Sequence, residues 1–301
     1  MDSYLSSIFS AVIDFRSILI HPISKLLWKN RIQILSYHRI CQLPQAEDIT
    51  SSPSVPPVTF DKQMAFLSSN GFNVITIEQL VDYKERNIQP PPKTVIITFD
   101  DGYRDNYLNA LPILEKYGFK GSLFVVTDYI GSNKIFPWLE FGRKALTHSR
   151  QNRRYWLPLS REEIAEMSAH GACFGSHTKT HPYLTDLDES SAMEELVGSR
   201  ECLEEMLQKP VRCFCYPFGD MNKMVRQWTE AAGYCAALTT IEEGSNTLKS
   251  DFLKLKRRQI NPQDSLAKFV RKVEGAYDLT VWWLPPIRFV RRLIFGKQGG
   301  R

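Results

Sequence analysis

Asp100 and Asp101 stand side by side at the end of an apolar run, Thr94-Val95-Ile96-Ile97-Thr98-Phe99, and Gly102 follows them. Adjacent residues on an extended strand point to opposite faces, so both carboxylates can serve one site only if the chain turns there, and glycine permits the turn. Alone, an Asp-Asp-Gly tripeptide mostly makes a solvated turn. A second cluster adds weight. Gly175-Ser176-His177-Thr178-Lys179-Thr180-His181-Pro182 follows a short apolar segment, Ala172-Cys173-Phe174, and sets two imidazoles four residues apart. With a carboxylate from elsewhere, two such rings make a two-His, one-Asp metal site that leaves positions for water, a catalytic arrangement. Taken alone, the pair also fits two exposed loop histidines.

Groups of this kind gather at the carboxyl ends of strands in parallel α/β sheets, and the surrounding pattern is of that type. Strands are expected near residues 32, 94, 121, 172, 211, 234 and 253, with helical patterns between them. Thr59 reads as the cap of a helix through Phe60, Met64 and Leu67 that stops at Gly71, and Thr76 with Gln79 forms a capping-box pattern. Tyr107 to Tyr117 reads as helical. Met193, Leu196, Val197, Leu203 and Leu207 mark one face of a long helix beginning near Asp188, and Val225 to Ala232 marks another. The alternation argues for a parallel α/β barrel. At 301 residues and 43% hydrophobic content, one core can bury roughly three quarters of the unfolded surface. Ser51 to Pro57 is a turn-rich loop, and no internal repeat is evident.

Together the two clusters resemble the polysaccharide deacetylase family, carbohydrate esterase family 4, whose first motif is Thr-Phe-Asp-Asp-Gly and whose second is His-Ser/Thr-x-x-x-His. The resemblance extends through Gly118-Phe119-Lys120-Gly121-Ser122-Leu123-Phe124-Val125-Val126 and through Phe214-Cys215-Tyr216-Pro217-Phe218-Gly219, similar to the third motif. It covers residues from about Ile32 to Gly275. It implies a distorted (β/α)7 barrel that removes acetyl groups from N-acetylated sugars of a polysaccharide or glycan precursor. It also implies a divalent metal, usually zinc, held by Asp101, His177 and His181, with Asp100 as general base. Zinc lowers the pKa of a bound water to about 7, which lets a carboxylate take its proton at neutral pH. The oxyanion is assigned to the metal and to the main-chain N–H of Tyr216. A core tyrosine with its hydroxyl satisfied is an equal reading for Tyr216.

Two departures from the family pattern matter. No histidine follows His181, so the late acid-bearing motif is missing. Near the start, Ile32-Gln33-Ile34-Leu35-Ser36-Tyr37-His38-Arg39 is an apolar strand ending in His38, and this resembles the circularly permuted poly-N-acetylglucosamine deacetylases, whose acid motif lies at the front. His38 is therefore the expected acid, against a reading in which it only ends a core strand. The third motif also lacks its usual arginine. Arg257, in the late segment Leu253 to Ile260, is the expected partner of Asp100, against a solvated basic strand end. Two other functions share these residues: a two-His, one-carboxylate iron oxygenase, and an inactive glycan-binding relative.

The domain spans 32–275, with an amphipathic segment at 1–31 and a basic, Trp-containing tail at 276–301. The first 28 residues are too polar for a spanning helix and lack the features of a secretory signal. The tail carries no acidic residue after Asp278. Both ends fit either peripheral contact with a membrane or packing on the barrel. The stretch between Tyr129 and Leu159, with Trp138, Phe141, Tyr155 and Trp156, reads as a satellite cluster or a cap over the site. Six cysteines without metal-ligand spacing suggest buried thiols and a cytoplasmic location, and a net charge of +5 gives no case for nucleic acid.

Overall fold

The computed structural model describes residues 2–26, 30–42, 53–138, 156–242 and 244–280. Eight strands form one parallel sheet: β1 (Ile32–Tyr37), β2 (Asn73–Ile75), β3 (Thr94–Phe99), β4 (Ser122–Val125), β5 (Cys173–Ser176), β6 (Cys213–Cys215), β7 (Ala236–Leu238) and β8 (Arg258–Gln259). Seven follow one another in the order β7-β6-β5-β4-β3-β1-β8, while β2 lies beside the first half of β3. Leu255 bridges Leu238 of β7, and Arg258 and Gln259 pair with Leu35 and Ser36 of β1. One short segment thus joins the two margins of the sheet and closes a distorted barrel.

Nine α-helices accompany the strands among the described residues: α1 (Asp2–Leu26), α2 (Pro57–Ser69), α3 (Ile77–Glu85), α4 (Leu111–Lys116), α5 (Arg161–Ala169), α6 (Glu189–Leu207), α7 (Lys223–Ala231), α8 (Leu266–Val273) and α9 (Ala276–Thr280). Local chemistry sets their starts. Thr76 and Ser160 form capping boxes with Gln79 and Glu163, and Asp188 caps α6. Thr59 caps nothing. α2 begins two residues earlier at Pro57, where a fixed φ and a missing N–H suit the first helical turn. The expected Tyr107 to Tyr117 helix is divided, with a π-helical turn over Asn106–Ala110 leading into α4. Strands β1, β3, β4 and β5 are buried along their whole length, as strands covered on both faces must be. All six cysteines are free thiols, and four of them are buried.

α1 packs on the barrel's flank through its polar residues. Lys268 Nζ donates to Asp14 at 2.9 Å, Arg271 Nε donates to Ser17 Oγ at 2.9 Å, and His21 pairs with Glu274. The pairing advances together along both elements, so α1 runs parallel to α8. Asp278 anchors α9 by accepting from Arg258 Nη2 and Gln33 Nε2, each at 2.6 Å.

A candidate metal centre at the carboxyl ends of the strands

The register of the barrel gathers the chemistry. Tyr37 stands opposite Phe99, and the Asp100 N–H continues the ladder by donating to the Tyr37 carbonyl at 3.0 Å, which makes His38 and Asp100 neighbours just past β1 and β3. The His177 N–H donates to Val125 O at 2.9 Å, setting that ring at the end of β5 beside the β3 turn. Cys215 and Tyr216 end β6, and Arg257 precedes β8. Every sequence-predicted site residue lies at this one rim.

Asp101, His177 and His181 converge. His177 Nε2 lies 3.5 Å from Asp101 Oδ1, His181 Nε2 lies 3.6 Å from the same oxygen, and the two Nε2 atoms are 3.2 Å apart. A tetrahedron with arms of about 2.0–2.1 Å has edges of about 3.3–3.4 Å, so this triangle has the size of one face of a zinc-type site. Tautomer chemistry agrees. His177 Nδ1 sits 2.7 Å from the Cys215 carbonyl, an acceptor only, so Nδ1 carries a proton and Nε2 is the atom left for a cation, whose binding would displace the second proton that Cys215 and Asp101, against burial, hold on this ring. Burial and the neighbouring His177 push His181 down to about 3, keeping it neutral, as a ligand must be. Burial alone would raise Asp101, but the hydrogen bond to His177 leads the influences that hold it well below the usual carboxylate range. The donor set therefore fits a divalent cation.

Backbone strain concentrates here. Asp101 (φ 72°), Thr178 (φ 68°), His181 (φ 67°) and Phe218 (φ 57°) are all left-handed non-glycine residues, a conformation that persists only where surroundings over-determine it. The loop after β5 shows how. Glu195 of α6 accepts from the N–H groups of Lys179 and Thr180 at 2.8 and 2.9 Å and from the Thr180 hydroxyl at 2.7 Å, while the His181 N–H donates to Thr178 Oγ1 at 2.9 Å.

Asp100 lies beside the triangle in the grip of Arg257, whose Nη1 and Nη2 each donate to one carboxylate oxygen at 2.7 Å. Arg257 Nε is spent on Thr239 O at 2.9 Å, which fixes the plane of the fork. Cys215 lies in the segment similar to the third motif, and its Sγ is 3.1 Å from Arg257 Nη2. Arg257 thus reaches Asp100 from another strand end. Burial works to raise Asp100, yet the Arg257 guanidinium holds it below the ordinary carboxylate value.

His38 is half-buried, and its Nδ1 has no hydrogen-bond partner among the described residues. Its main chain is braced: Asn106 Nδ2 donates to His38 O at 3.0 Å, Asp105 accepts the Ile40 N–H at 2.8 Å, and Asn109 Nδ2 donates to Ile40 O at 2.7 Å. The π turn at 106–110 lets Asn106 and Asn109 face the same strand end.

Tyr216 is placed differently from the sequence-based expectation. Its N–H donates to Leu238 O at 3.1 Å, within the barrel, and its hydroxyl donates to Leu253 O at 3.0 Å, so the residue is a satisfied core tyrosine. Pro217 has no N–H, which makes that of Phe218 the next along the chain. Two further contributors carried little sequence signal. The Phe218 ring packs edge-on to His181 at 4.5 Å, and Trp138 stacks on His181 at 4.1 Å while its Nε1 donates to Asp101 Oδ2 at 3.3 Å. Trp138 belongs to a satellite cluster with Tyr103, Phe136 and Trp156, so the stretch after Tyr129 serves both expected roles where it is described. Phe141 and Tyr155 lie outside the described residues.

The polysaccharide deacetylase family model matches residues 87–237, half of the chain. The chain is 29% identical over 245 residues to YxkH of Bacillus subtilis strain 168, covering 81% of this chain and 77% of that one, whose name places it provisionally among polysaccharide deacetylases. It is 27% identical over 203 residues to the poly-beta-1,6-N-acetyl-D-glucosamine N-deacetylase of Staphylococcus epidermidis, covering 64% of this chain and 67% of that protein. Among solved structures, the Streptococcus pyogenes deacetylase PplD in complex with acetate superposes with a TM-score of 0.68 at 27% identity, covering 81% of this chain and 98% of that one. The chain belongs to the polysaccharide deacetylase family and is, as a member, a hydrolytic enzyme.

Proposed function

We propose that this protein is a metal-dependent N-deacetylase acting on N-acetylglucosamine units of a polysaccharide or its precursor, with water as the nucleophile. The observation that carries the reading is the triangle of Asp101, His177 and His181 with an arginine-held carboxylate, Asp100, next to it. A divalent cation held by the triangle would acidify a water toward neutral pH and polarise the acetyl carbonyl.

Asp100 accepts the proton of the attacking water. Ionised at neutral pH through Arg257, it keeps a second lone pair on each oxygen for this purpose. Phe218, rather than Tyr216, offers the main-chain N–H to the developing oxyanion, since the Tyr216 N–H is committed to Leu238. His38 delivers a proton to the leaving amine, because among the described residues it is the one histidine at this rim outside the metal triangle. The arginine-held second carboxylate argues for hydrolysis over oxygenase chemistry, which needs no such base. The intact triangle argues against an inactive glycan binder.

Acetate release from N-acetylglucosamine oligomers tests the reading. Activity should vanish with chelator and return with zinc, and Asp100→Asn should lose about 10²–10⁴-fold. Full activity in Asp100→Asn, or no release from any N-acetylated oligomer by the zinc-loaded protein, would refute it.

A further inference from the structure

α1 is amphipathic in the inverse sense. Its polar residues Asp14, Ser17 and His21 face the protein and are bonded to Lys268, Tyr277, Arg271 and Glu274. Five of its apolar residues face outward: Phe15 and Leu19 are each 63% exposed, Ile23 57%, Ile18 53% and Val12 41%. At 100° per residue these five fall within an arc of about 140°, a continuous stripe. The ion pairs and hydrogen bonds of the polar side fix the helix in that orientation. No helix among the described residues is long and apolar enough to cross a membrane.

The last described helix, α9, packs against the polar side of α1 through the bond of Tyr277 to Asp14, and residues 281–301 continue from it. That tail contains five Lys or Arg, no Asp or Glu, and the aromatics Trp282, Trp283, Phe289 and Phe295. An apolar stripe supplies insertion at the headgroup boundary, and a cationic, Trp-bearing segment of the same chain supplies attraction to negative headgroups. Charge complementarity therefore selects the occupant over a second copy of this basic chain. We infer that α1 and the tail dock the enzyme peripherally on an anionic lipid bilayer.

The test is flotation of the full-length protein with phosphatidylcholine vesicles, with and without phosphatidylglycerol. The parent is expected to float with the anionic vesicles, weakly with the neutral ones, and less as salt rises. Phe15→Glu with Leu19→Glu should lower the partition coefficient at least about tenfold, at an unchanged melting temperature and unchanged hydrolysis of a soluble oligomer. Truncation after Thr280 should weaken binding to the anionic vesicles selectively. The inference is overturned if the parent floats with neither vesicle, or if the double variant floats as the parent does. It is equally overturned if the parent forms a dimer that the double variant breaks and neither form binds lipid. These readouts do not depend on deacetylase activity, so the docking and the catalytic readings fail separately.

Discussion

Arg257 grips Asp100 through both carboxylate oxygens at 2.7 Å, and the two side chains are only 2% and 4% exposed. Breaking a buried pair by removing one member leaves an unpaired charge, at a cost of about 3–5 kcal/mol. Arg257→Gln is therefore expected to lower unfolding free energy at pH 7 by that order. The sign of the pH effect follows from the opposed forces on Asp100. Burial raises its pKa, and Arg257 brings it below the ordinary value. The pair's stabilisation is thus present above the usual carboxylate pKa and lost as pH falls through the depressed one. Without Arg257 only the raising influence remains, so the acid limb of kcat/KM should move to higher pH. An unmoved limb would detach Arg257 from the base.

The donor triangle should bind metal even in the absence of substrate. A ligand that binds only the folded state stabilises it by about 2.7 kcal/mol at a hundredfold excess over Kd. Zinc added to the chelator-treated protein is expected to raise the melting temperature, while Asp101→Asn and His181→Ala should respond weakly or not at all. Equal thermal shifts in parent and variants would place the ion elsewhere.

Asn106 touches the His38 carbonyl and no reacting group, so its contribution to catalysis should be one of position. Asn106→Ala is expected to lower kcat by up to about 10²-fold with little change in KM, the size of loss that a small misplacement causes. A double-mutant cycle separates this from general damage. If Asn106 acts through His38, then adding Asn106→Ala to His38→Ala costs little more. Losses that multiply would show that Asn106 acts on something else.

The candidate metal ligands are legible because each motif is local: a strand ends, glycine or a strained turn follows, and the side chains project into one rim. Arg257 was harder to read. Lys254-Leu255-Lys256-Arg257-Arg258 has the composition of a solvated strand end, yet Arg257 and Arg258 are both buried, since each meets a carboxylate, Asp100 and Asp278, distant in sequence. The late strand shrinks to two residues because its first part turns and bridges β7. β2 was missed because only one of its three residues is buried, too few for a periodic signal. The oxyanion role expected of Tyr216 meets the ladder: its N–H, just past the strand end, is within reach of the Leu238 carbonyl, and the next N–H along the chain is that of Phe218. α1 defeats the usual rule for amphipathic helices, since its apolar side is the one turned away from the core.

Gly102, which follows the two aspartates, combines two requirements that can be measured apart. Its φ is +81°, and a Cβ there would come within 2.8 Å of Val125 Cγ1 on β4. Gly118 also has positive φ, +69°, but a Cβ there meets nothing within 4 Å. Ala at Gly118 should therefore pay only the left-handed penalty, about 1–2 kcal/mol. Ala at Gly102 pays the same penalty plus overpacking of about 1–3 kcal/mol against a buried strand. Relief of that clash must push the turn away from β4, carrying Asp101 from His177, which stands just past the neighbouring β5. Gly102→Ala should accordingly lose both stability and zinc-induced thermal shift, whereas Gly118→Ala loses stability alone. Equal zinc responses in the two variants would mean that the turn after β3 does not set the position of the Asp101 ligand.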